Sequence, residues 1–498
     1  MLRKIRTILA AVFFTLITLL FLDFTGTLHH WLGWMAMVQF LPAVLALNIV
    51  VIVILVLLTL IFGRIYCSVI CPLGVLQDIL ARFRKKRKYS YSNEVRWLRY
   101  PVLVLFIIAL VAGIGSFFQL LAPYSSYGRI ATMLFQPLWI LGNNVLATFA
   151  ERADSYAFYS VDVWMKSLPV FITATVTLVV LFILAWRGGR TYCNTICPVG
   201  TFLSLLSRFS LLKIHFNADK CKNCSFCSRS CKAACIDYKT HTVDYSRCVV
   251  CGNCIDSCKF GALKYSRPTS LTSHTSPTSV TSSTCPSPVD TSKRSFLLAS
   301  ALVSTAALAQ KKEKLMDGGI AQLEDKVAPQ RQTPLTPPGS LSYQHFAQHC
   351  TGCQLCVSKC PNDVLRPSAD MMHFMLPEMS YERGHCRPEC TRCSEVCPAG
   401  AILKVDKPEK SSIQIGHAVW IKKNCVPITD GVECGNCARH CPTGAIEMVQ
   451  LDENDEESPM VPAINEAACI GCGACEYVCP SRPFSAIYVE GHEVHRKI

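Results

Sequence analysis

Four apolar stretches, at about 8–22, 43–62, 102–121 and 170–186, punctuate the first half of the chain. The second has the length of a helix crossing ~30 Å of hydrocarbon, and the others reach or approach it. Lys and Arg cluster before the first (Arg3, Lys4, Arg6), after the second (Arg64, then 82–88) and after the fourth (Arg187, Arg190), while the connections 23–42 and 122–169 carry few. That asymmetry predicts a four-helix transmembrane α domain over 1–215, in the cytoplasmic membrane, with its N-terminus and the residues after it inside. Past residue 266 the pattern changes. A Ser, Thr and Pro tract cannot build a core and reads as the start of a flexible linker, 267–340.

Within that linker, Lys293-Arg294 leads into an apolar run, 296–309, that is too short to span and has the length of a signal h-region. The segment 293–310 reads as a twin-arginine-like export signal, with Lys in the first basic position. Export of the residues that follow, 341–492, would place them in the periplasm. The competing reading is a helix docked on the inner face of the membrane, which would leave both halves on one side.

The membrane half repeats itself. GRIYCSVICPLGVLQDILARF follows the second apolar stretch and GRTYCNTICPVGTFLSLLSRF follows the fourth. Each half is a helix pair ending in C-x3-CP and an amphipathic helix expected along the inner surface. Residues four apart are neighbours on a helix, so Cys67 and Cys71 share a face, as do Cys193 and Cys197. Pseudo-symmetry would bring the four thiols together, as a metal or cluster site, a dithiol pair or plain structural cysteines.

Composition sharpens this picture. The 498 residues carry a formal net charge of +14, are 51% hydrophobic and include 30 cysteines. The positive charge lies beside apolar segments and lacks interleaved aromatics, which argues against nucleic acid as a partner. Of the cysteines, 24 fall into six runs of four with cluster-type spacing, which a disulfide framework would not explain.

The first two runs read C-x2-C-x2-C-x3-C, the pattern in which three thiolates of one run and the last of the other hold each cubane. Cys221, Cys224, Cys227 and Cys258 would hold one 4Fe–4S cluster, and Cys248, Cys251, Cys254 and Cys231 a second, in an α+β ferredoxin-like domain over 216–266. Zinc knuckles use paired C-x2-C elements and rarely a third cysteine at that spacing. Cys235 is surplus and reads as a packed free thiol, and Cys285 in the linker as incidental. Four further runs begin at Cys350, Cys386, Cys425 and Cys469, each ending Cys-Pro. They define a four-cluster domain over 341–492 and bring the expected total to six 4Fe–4S clusters. The acidic run 452–457 reads as a solvated loop, or as a dock for a basic redox partner.

The Gln39-Phe40-Leu41-Pro42 entry to the second helix, the two C-x3-CP repeats and the two-cluster ferredoxin resemble the NapH-type membrane ferredoxins, relatives of the membrane part of NosR. The third run, with eight residues between its first cysteines, and GACEYVCPSRPFSAI in the fourth resemble the MauM/NapG-type ferredoxins. The first resemblance implies electrons taken from the quinone pool and passed towards a periplasmic redox enzyme or cytochrome. His29 and His30, beside Trp31 and Trp34, read as an interfacial anchor, or as acceptors of quinol protons. The second resemblance implies that outer runs pair with each other and inner runs likewise. Cys350, Cys353 and Cys356 would then be completed by Cys479, and Cys469, Cys472 and Cys475 by Cys360. Cys386, Cys390 and Cys393 would be completed by Cys441, and Cys425, Cys434 and Cys437 by Cys397.

Fully cysteine-ligated clusters have no open iron, and no nucleophile–base constellation stands out. The expectation is an electron-transfer component, with an accessory or maturation factor for a periplasmic redox enzyme as the alternative. A cytoplasmic accessory with nothing exported is the third. One tension follows from the sidedness. About 30 Å of hydrocarbon is too wide for one electron hop, so either a quinone or a centre at the C-x3-CP thiols must intervene.

Overall fold

The computed structural model describes residues 2–83, 89–155, 157–217, 219–267, 315–316, 321–322, 324–371, 373–452, 454–455 and 457–498. The export-like segment 293–310, Cys285 and the basic residues 84–88 lie outside the described residues, as do two positions of the acidic run. Two units result. Among the described residues, Arg267–Glu324 contributes the paired strands Leu315–Met316 and Ala321–Gln322, and Met1–Ser266 with Asp325–Ile498 forms the other unit.

The principal helices of the membrane half are α1 (Leu2–Leu22), α2 (Ile49–Phe62), α3 (Pro72–Arg82), α4 (Arg96–Val111), α5 (Pro123–Arg152), α6 (Leu168–Gly188) and α7 (Pro198–Ser207). Three of them, α1, α5 and α6, are long and apolar enough to cross a membrane among the described residues. The expected second and third spans are each interrupted. A short helix, Phe40–Leu45, is separated from α2 by a turn in which Leu47 has φ 50° and the Asn48 side chain caps Val51 N–H at 3.3 Å. A break at Gly113, with φ 72°, divides α4 from a second short helix, Gly115–Leu121. The connection 122–169, expected to be a loop, holds α5. Pro123 starts that helix, and a five-residue π segment, Ala131–Phe135, lies within it.

The helices that follow each C-x3-CP are not laid along a surface. Pro72, Leu73, Gly74, Val75, Leu76, Gln77 and Ala81 of α3 are buried, and α3 packs on α1, α5 and α6. In the second repeat α7 packs in the same way on α2 and α4. The physical reason is Gly74 and Gly200. A Cβ there would stand 2.3 Å from the Cys67 carbonyl oxygen and 2.5 Å from that of Cys193, so only glycine lets the two helices close onto the cysteine turns.

A small cysteine-rich module follows α7. Strand Lys213–Phe216 pairs antiparallel with Leu263–Ser266, and one-turn helices Phe226–Ser230 and Asn253–Ser257 pack together between them. The C-terminal module is two such halves side by side. In one, helix Leu355–Lys359 packs on Arg392–Val396; in the other, Asn436–Arg439 packs on Ala474–Val478. The long strand Ile487–Lys497 returns along Ile413–Trp420, with Ile487 opposite Trp420.

The two modules sit at opposite ends of α1. At its start, Arg3 reaches Asp256 at 3.6 Å and backs onto Gly252. Just past its end, Asp23 meets Lys359 at 2.7 Å. A helix of 21 residues is about 30 Å long.

Candidate functional site: seven groups of four thiols

In the first module the thiols gather as the spacing predicts. Cys221, Cys224, Cys227 and Cys258 line one pocket. Cys251 and Cys254 lie within electrostatic range of Cys248 and Cys231. Cys235 is buried 3.4 Å from the Cys231 sulfur, and their hydrogen bond holds the Cys231 thiol below its usual value.

The C-terminal module differs from the expected pairing. Cys397, not Cys479, stands with Cys350, Cys353 and Cys356. Cys360, not Cys441, lines one pocket with Cys386, Cys390 and Cys393. Cys479, not Cys397, lines another with Cys425, Cys434 and Cys437. Cys441, not Cys360, stands with Cys469 and Cys472, and Cys475 lies beside that pair. Neighbouring runs therefore exchange their last thiol, because the one-turn helix that carries the third cysteine of one run packs on the corresponding helix of the next. Nothing in the spacing distinguishes this from the outer-with-outer arrangement.

The four C-x3-CP thiols converge. Cys71 lies within electrostatic range of Cys67 and Cys193, and Cys197 of all three others. Each is 3–4% exposed. Around them the repeats exchange arginines. Arg64 donates from Nη2 to the Cys193 carbonyl at 3.1 Å, and Arg190 from Nη1 to the Cys67 carbonyl at 2.5 Å. Each also approaches a sulfur at 3.9 Å, Arg64 that of Cys67 and Arg190 that of Cys193. Gln77 Nε2 stands 3.3 Å from the Cys193 sulfur.

These arginines reach both ways. Arg64 Nη1 donates to the Ser246 carbonyl at 3.0 Å, two residues before Cys248, and the Arg190 backbone N–H donates to the Lys232 carbonyl at 3.0 Å, one residue after Cys231. The C-x3-CP thiols are thus joined through both repeats to the nearer group of the first module. On the opposite side, Tyr66 lies within range of Cys71, Cys67 and Cys197, and Tyr124 within range of Tyr66, Cys353 and Cys397. Gln119 Nε2 donates to the Cys350 carbonyl at 3.0 Å, and Tyr192 OH to the Leu121 carbonyl at 2.9 Å. A Cβ on Gly128 would stand 2.2 Å from the Cys353 carbonyl oxygen, so α5 touches this loop directly.

In the sequence these arginines read as positive charge that orients the membrane half; the structure buries both against the C-x3-CP turns. The signal was present, since Gly-Arg precedes both Tyr-Cys pairs and Pro-x-Gly follows both second cysteines. The repeats differ at one charged position. Asp78 takes a two-pronged bond from Arg190, both at 2.9 Å, and one from Arg6 at 3.0 Å, whereas Ser204 occupies the matching place. Among the described residues Arg64 has no carboxylate within ion-pair distance. A buried guanidinium needs a counter-charge, and four thiolates around an iron–sulfur core, which together are net negative, supply one. The residues therefore fit the group.

Among the described residues no three His, Cys, Asp or Glu side chains converge on a point suited to a single ion. The x2-x2-x3 spacing of four of the cysteine runs is the cubane pattern, which zinc knuckles rarely share. Burial pushes Cys227 and Cys251 up to about 11 and Cys472 up to about 12, so these thiols carry protons that a metal must displace. His29, expected at the interface, lies near the Asp23–Lys359 pair, while Trp31 and Trp34 are exposed.

Family models for 4Fe-4S proteins match several parts of the chain. A 4Fe-4S binding domain family matches residues 44–90 and 169–217, which carry the two C-x3-CP repeats, and another matches 241–264. A 4Fe-4S dicluster domain family matches 432–482, across the third and fourth runs of the C-terminal module that the structure pairs. The class is thus an iron–sulfur electron-transfer protein of ferredoxin type, with membrane-length helices.

The ferredoxin-type protein NapG of Escherichia coli is 30% identical over 181 residues, 32% of this chain and 75% of NapG. The putative electron transport protein YccM of E. coli is 26% identical, over 42% of this chain and 54% of YccM. An uncharacterized protein of Methanocaldococcus jannaschii, MJ0750, is 27% identical, over 53% of this chain and 94% of its own length. The chain belongs to the NapG family of ferredoxin-type proteins.

Proposed function

We propose that this protein is a membrane-embedded relay that moves single electrons between its two ferredoxin modules through the Cys67, Cys71, Cys193 and Cys197 group. A 4Fe–4S cluster, where bound, stores and releases one electron without an open iron site. The order of stations is Cys221/224/227/258, then Cys231/248/251/254, then the C-x3-CP thiols, then Cys350/353/356/397. From there it runs to Cys360/386/390/393, on to Cys441/469/472/475, and ends at Cys425/434/437/479. The Cys386 backbone N–H donates to the Cys472 carbonyl at 2.9 Å, which ties the two halves of the outer module together.

The observation that carries this reading is the two-sided attachment of the C-x3-CP turns. Arg64 and Arg190 bond to one module. On the other side Tyr192 bonds the Leu121 carbonyl, at the end of the helix whose Gln119 bonds Cys350, and Tyr66 and Tyr124 lie within electrostatic range between the two thiol groups. It answers the width of the bilayer with an intermediate station, so that no diffusible quinone is needed between the modules. Arg3, Arg6, Arg64 and Arg190 all lie towards the end of α1 that carries the first module, which supports a cytoplasmic position for it and a periplasmic one for the other. Quinol as a donor and a periplasmic reductase as the acceptor are the physiological partners we assign to such a relay. The resemblance of the membrane half to the NapH-type membrane ferredoxins and the membrane-length helices support that assignment.

The test is anaerobic purification with iron and sulfide counting and redox-titrated EPR. Seven clusters correspond to about 28 irons, against about 24 for six. Cys71→Ser with Cys197→Ser should remove about four irons and block electron passage from the inner to the outer module, while dithionite still reduces both. A wild-type count of about 24 that these substitutions do not lower would end the proposal.

A further inference from the structure

The two modules carry opposite charge. Residues 213–266 hold nine Lys or Arg against four Asp or Glu, whereas 341–498 hold fourteen against twenty. In the first module two of the four acids are already engaged, Asp256 with Arg3 and Asp244 with Arg247 at 2.6 Å. The cations are not spread evenly. Lys220 and Lys222 line the mouth of the Cys221/224/227/258 group, and Lys259 follows Cys258 directly. Lys239 and Lys264 stand exposed beside the lining residues Tyr238 and Leu263.

One exposed aromatic ring lines this rim, Phe260 at 41%, with the Lys222 ammonium 4.8 Å over it, and a second, Phe226 at 47%, stands in the chain between the lining residues Ser225 and Cys227. This mouth also faces away from the helices. The other group of the module, with Cys231 and Cys248, is the one the buried arginines hold to the bundle, while strand Lys213–Phe216 leaves the end of α2 and its far residue, Phe216, lines the mouth. Lys213, Lys232 and Arg247 lie at the membrane end of the module, whereas Lys220 and Lys222 line the mouth of its distal cysteines, where no membrane contact calls for them.

We propose that this rim is the dock for a small acidic one-electron carrier protein, of flavin or iron–sulfur type, on the same side of the membrane as the first module. A brief apolar contact around Phe226 and Phe260, with a charged rim, is the anatomy of a transient electron-transfer interface. In the step, the reduced carrier loses one electron and the module gains it at the Cys221/224/227/258 station, an entry point separate from that of the quinol. No bond forms or breaks and no proton is required. The electron's onward path rests on the relay reading, but the docking does not.

The test uses the full chain in detergent, purified anaerobically, mixed with a reduced plant-type acidic ferredoxin in a stopped-flow instrument. The second-order rate should fall steeply with ionic strength, and Lys222→Glu with Lys259→Glu should lower it about tenfold or more at low salt. Lys239→Glu with Lys264→Glu, which leaves the neighbours of the cysteines alone, should lower it in the same direction, with unchanged EPR of the module. Reduction by dithionite should stay within about twofold in both. A rate indifferent to salt and to both charge reversals overturns the dock. So does a loss confined to binding of vesicles containing anionic phosphatidylglycerol. Fast reduction of the first module with none of the outer one would leave the dock standing and sink the relay.

Discussion

Asp23 and Lys359 form an ion pair at 2.7 Å that is almost wholly buried, at 3% and 1% side-chain exposure, where the outer module meets the end of α1. It lies within the same surface as Gln119 on Cys350 and Gln136 on Ser358, whose carbonyls accept at 3.0 and 3.1 Å. The outer module is therefore bound to the membrane half by polar contacts with little access to water.

Removing one member leaves the other charged and buried. Lys359→Met should cost about 3–5 kcal/mol of docking, and the double change Asp23→Asn with Lys359→Met much less. Thermal loss of cluster absorbance reads both. Burial alone raises the Asp23 carboxyl, but the Lys359 and Thr25 hydrogen bonds and the Lys359 charge outweigh it and hold it below its ordinary value. A lowered carboxyl contributes stability above its unfolded pKa and loses it as pH falls through the folded one. Docking should persist at neutral pH and weaken only below about pH 4.

His495 gives the outer module a second, milder acid dependence. Burial first, and then the His492 charge, lower it to about 4, with Nε2 held 2.9 Å from the Thr336 hydroxyl. Between its unfolded value of about 6.5 and the folded one, the unfolded chain binds the extra proton. Stability is thus full above that range and declines as pH drops towards 4, by about 2 kcal/mol after allowing for partial exposure. His495→Gln should flatten the pH profile of the melting temperature between 6.5 and 4.5.

Gly128 tests whether close approach matters for function. A Val side chain there cannot coexist with the Cys353 carbonyl, so Gly128→Val should separate α5 from that loop. The expected outcome is an iron content unchanged from wild type with a loss of electron passage between modules of about tenfold or more, since tunnelling decays steeply with added gap. Unchanged passage in a fully loaded variant would show that the path does not run by Tyr124 and Cys353.

The sequence made the thiol groups legible because cubane ligation imposes a local spacing that survives any tertiary arrangement. The repeat likewise announced that Cys67, Cys71, Cys193 and Cys197 would meet. What the sequence could not carry was the exchange of last thiols in the outer module, since Cys360, Cys397, Cys441 and Cys479 all sit in equivalent Cys-Pro ends. Which run packs on which is decided by helices of four or five residues with no patterning of their own. Helix α5 was missed for a different reason. Its first half is buried against protein, so polar residues such as Gln136 and Arg129 interrupt the hydropathy that marks a lipid-facing span.

Arg64 and Arg190 set the sharpest remaining expectation. Both guanidinium groups are at most 1% exposed and stand 3.9 Å from a sulfur of the central group, so each favours the more negative, reduced state of whatever the thiols hold. A unit charge about 6 Å away contributes about 3 kcal/mol at an effective dielectric of ~20, equivalent to a potential shift on the order of 100 mV. Arg64→Gln should therefore lower the midpoint potential of one EPR-visible centre by that order and leave the other six within experimental scatter. Arg190→Gln should move the same centre in the same direction, and by less, because Asp78 already offsets much of its charge through the two-pronged bond. If the two substitutions shifted different centres, or shifted one centre in opposite directions, the four thiols would not be sharing a single occupant.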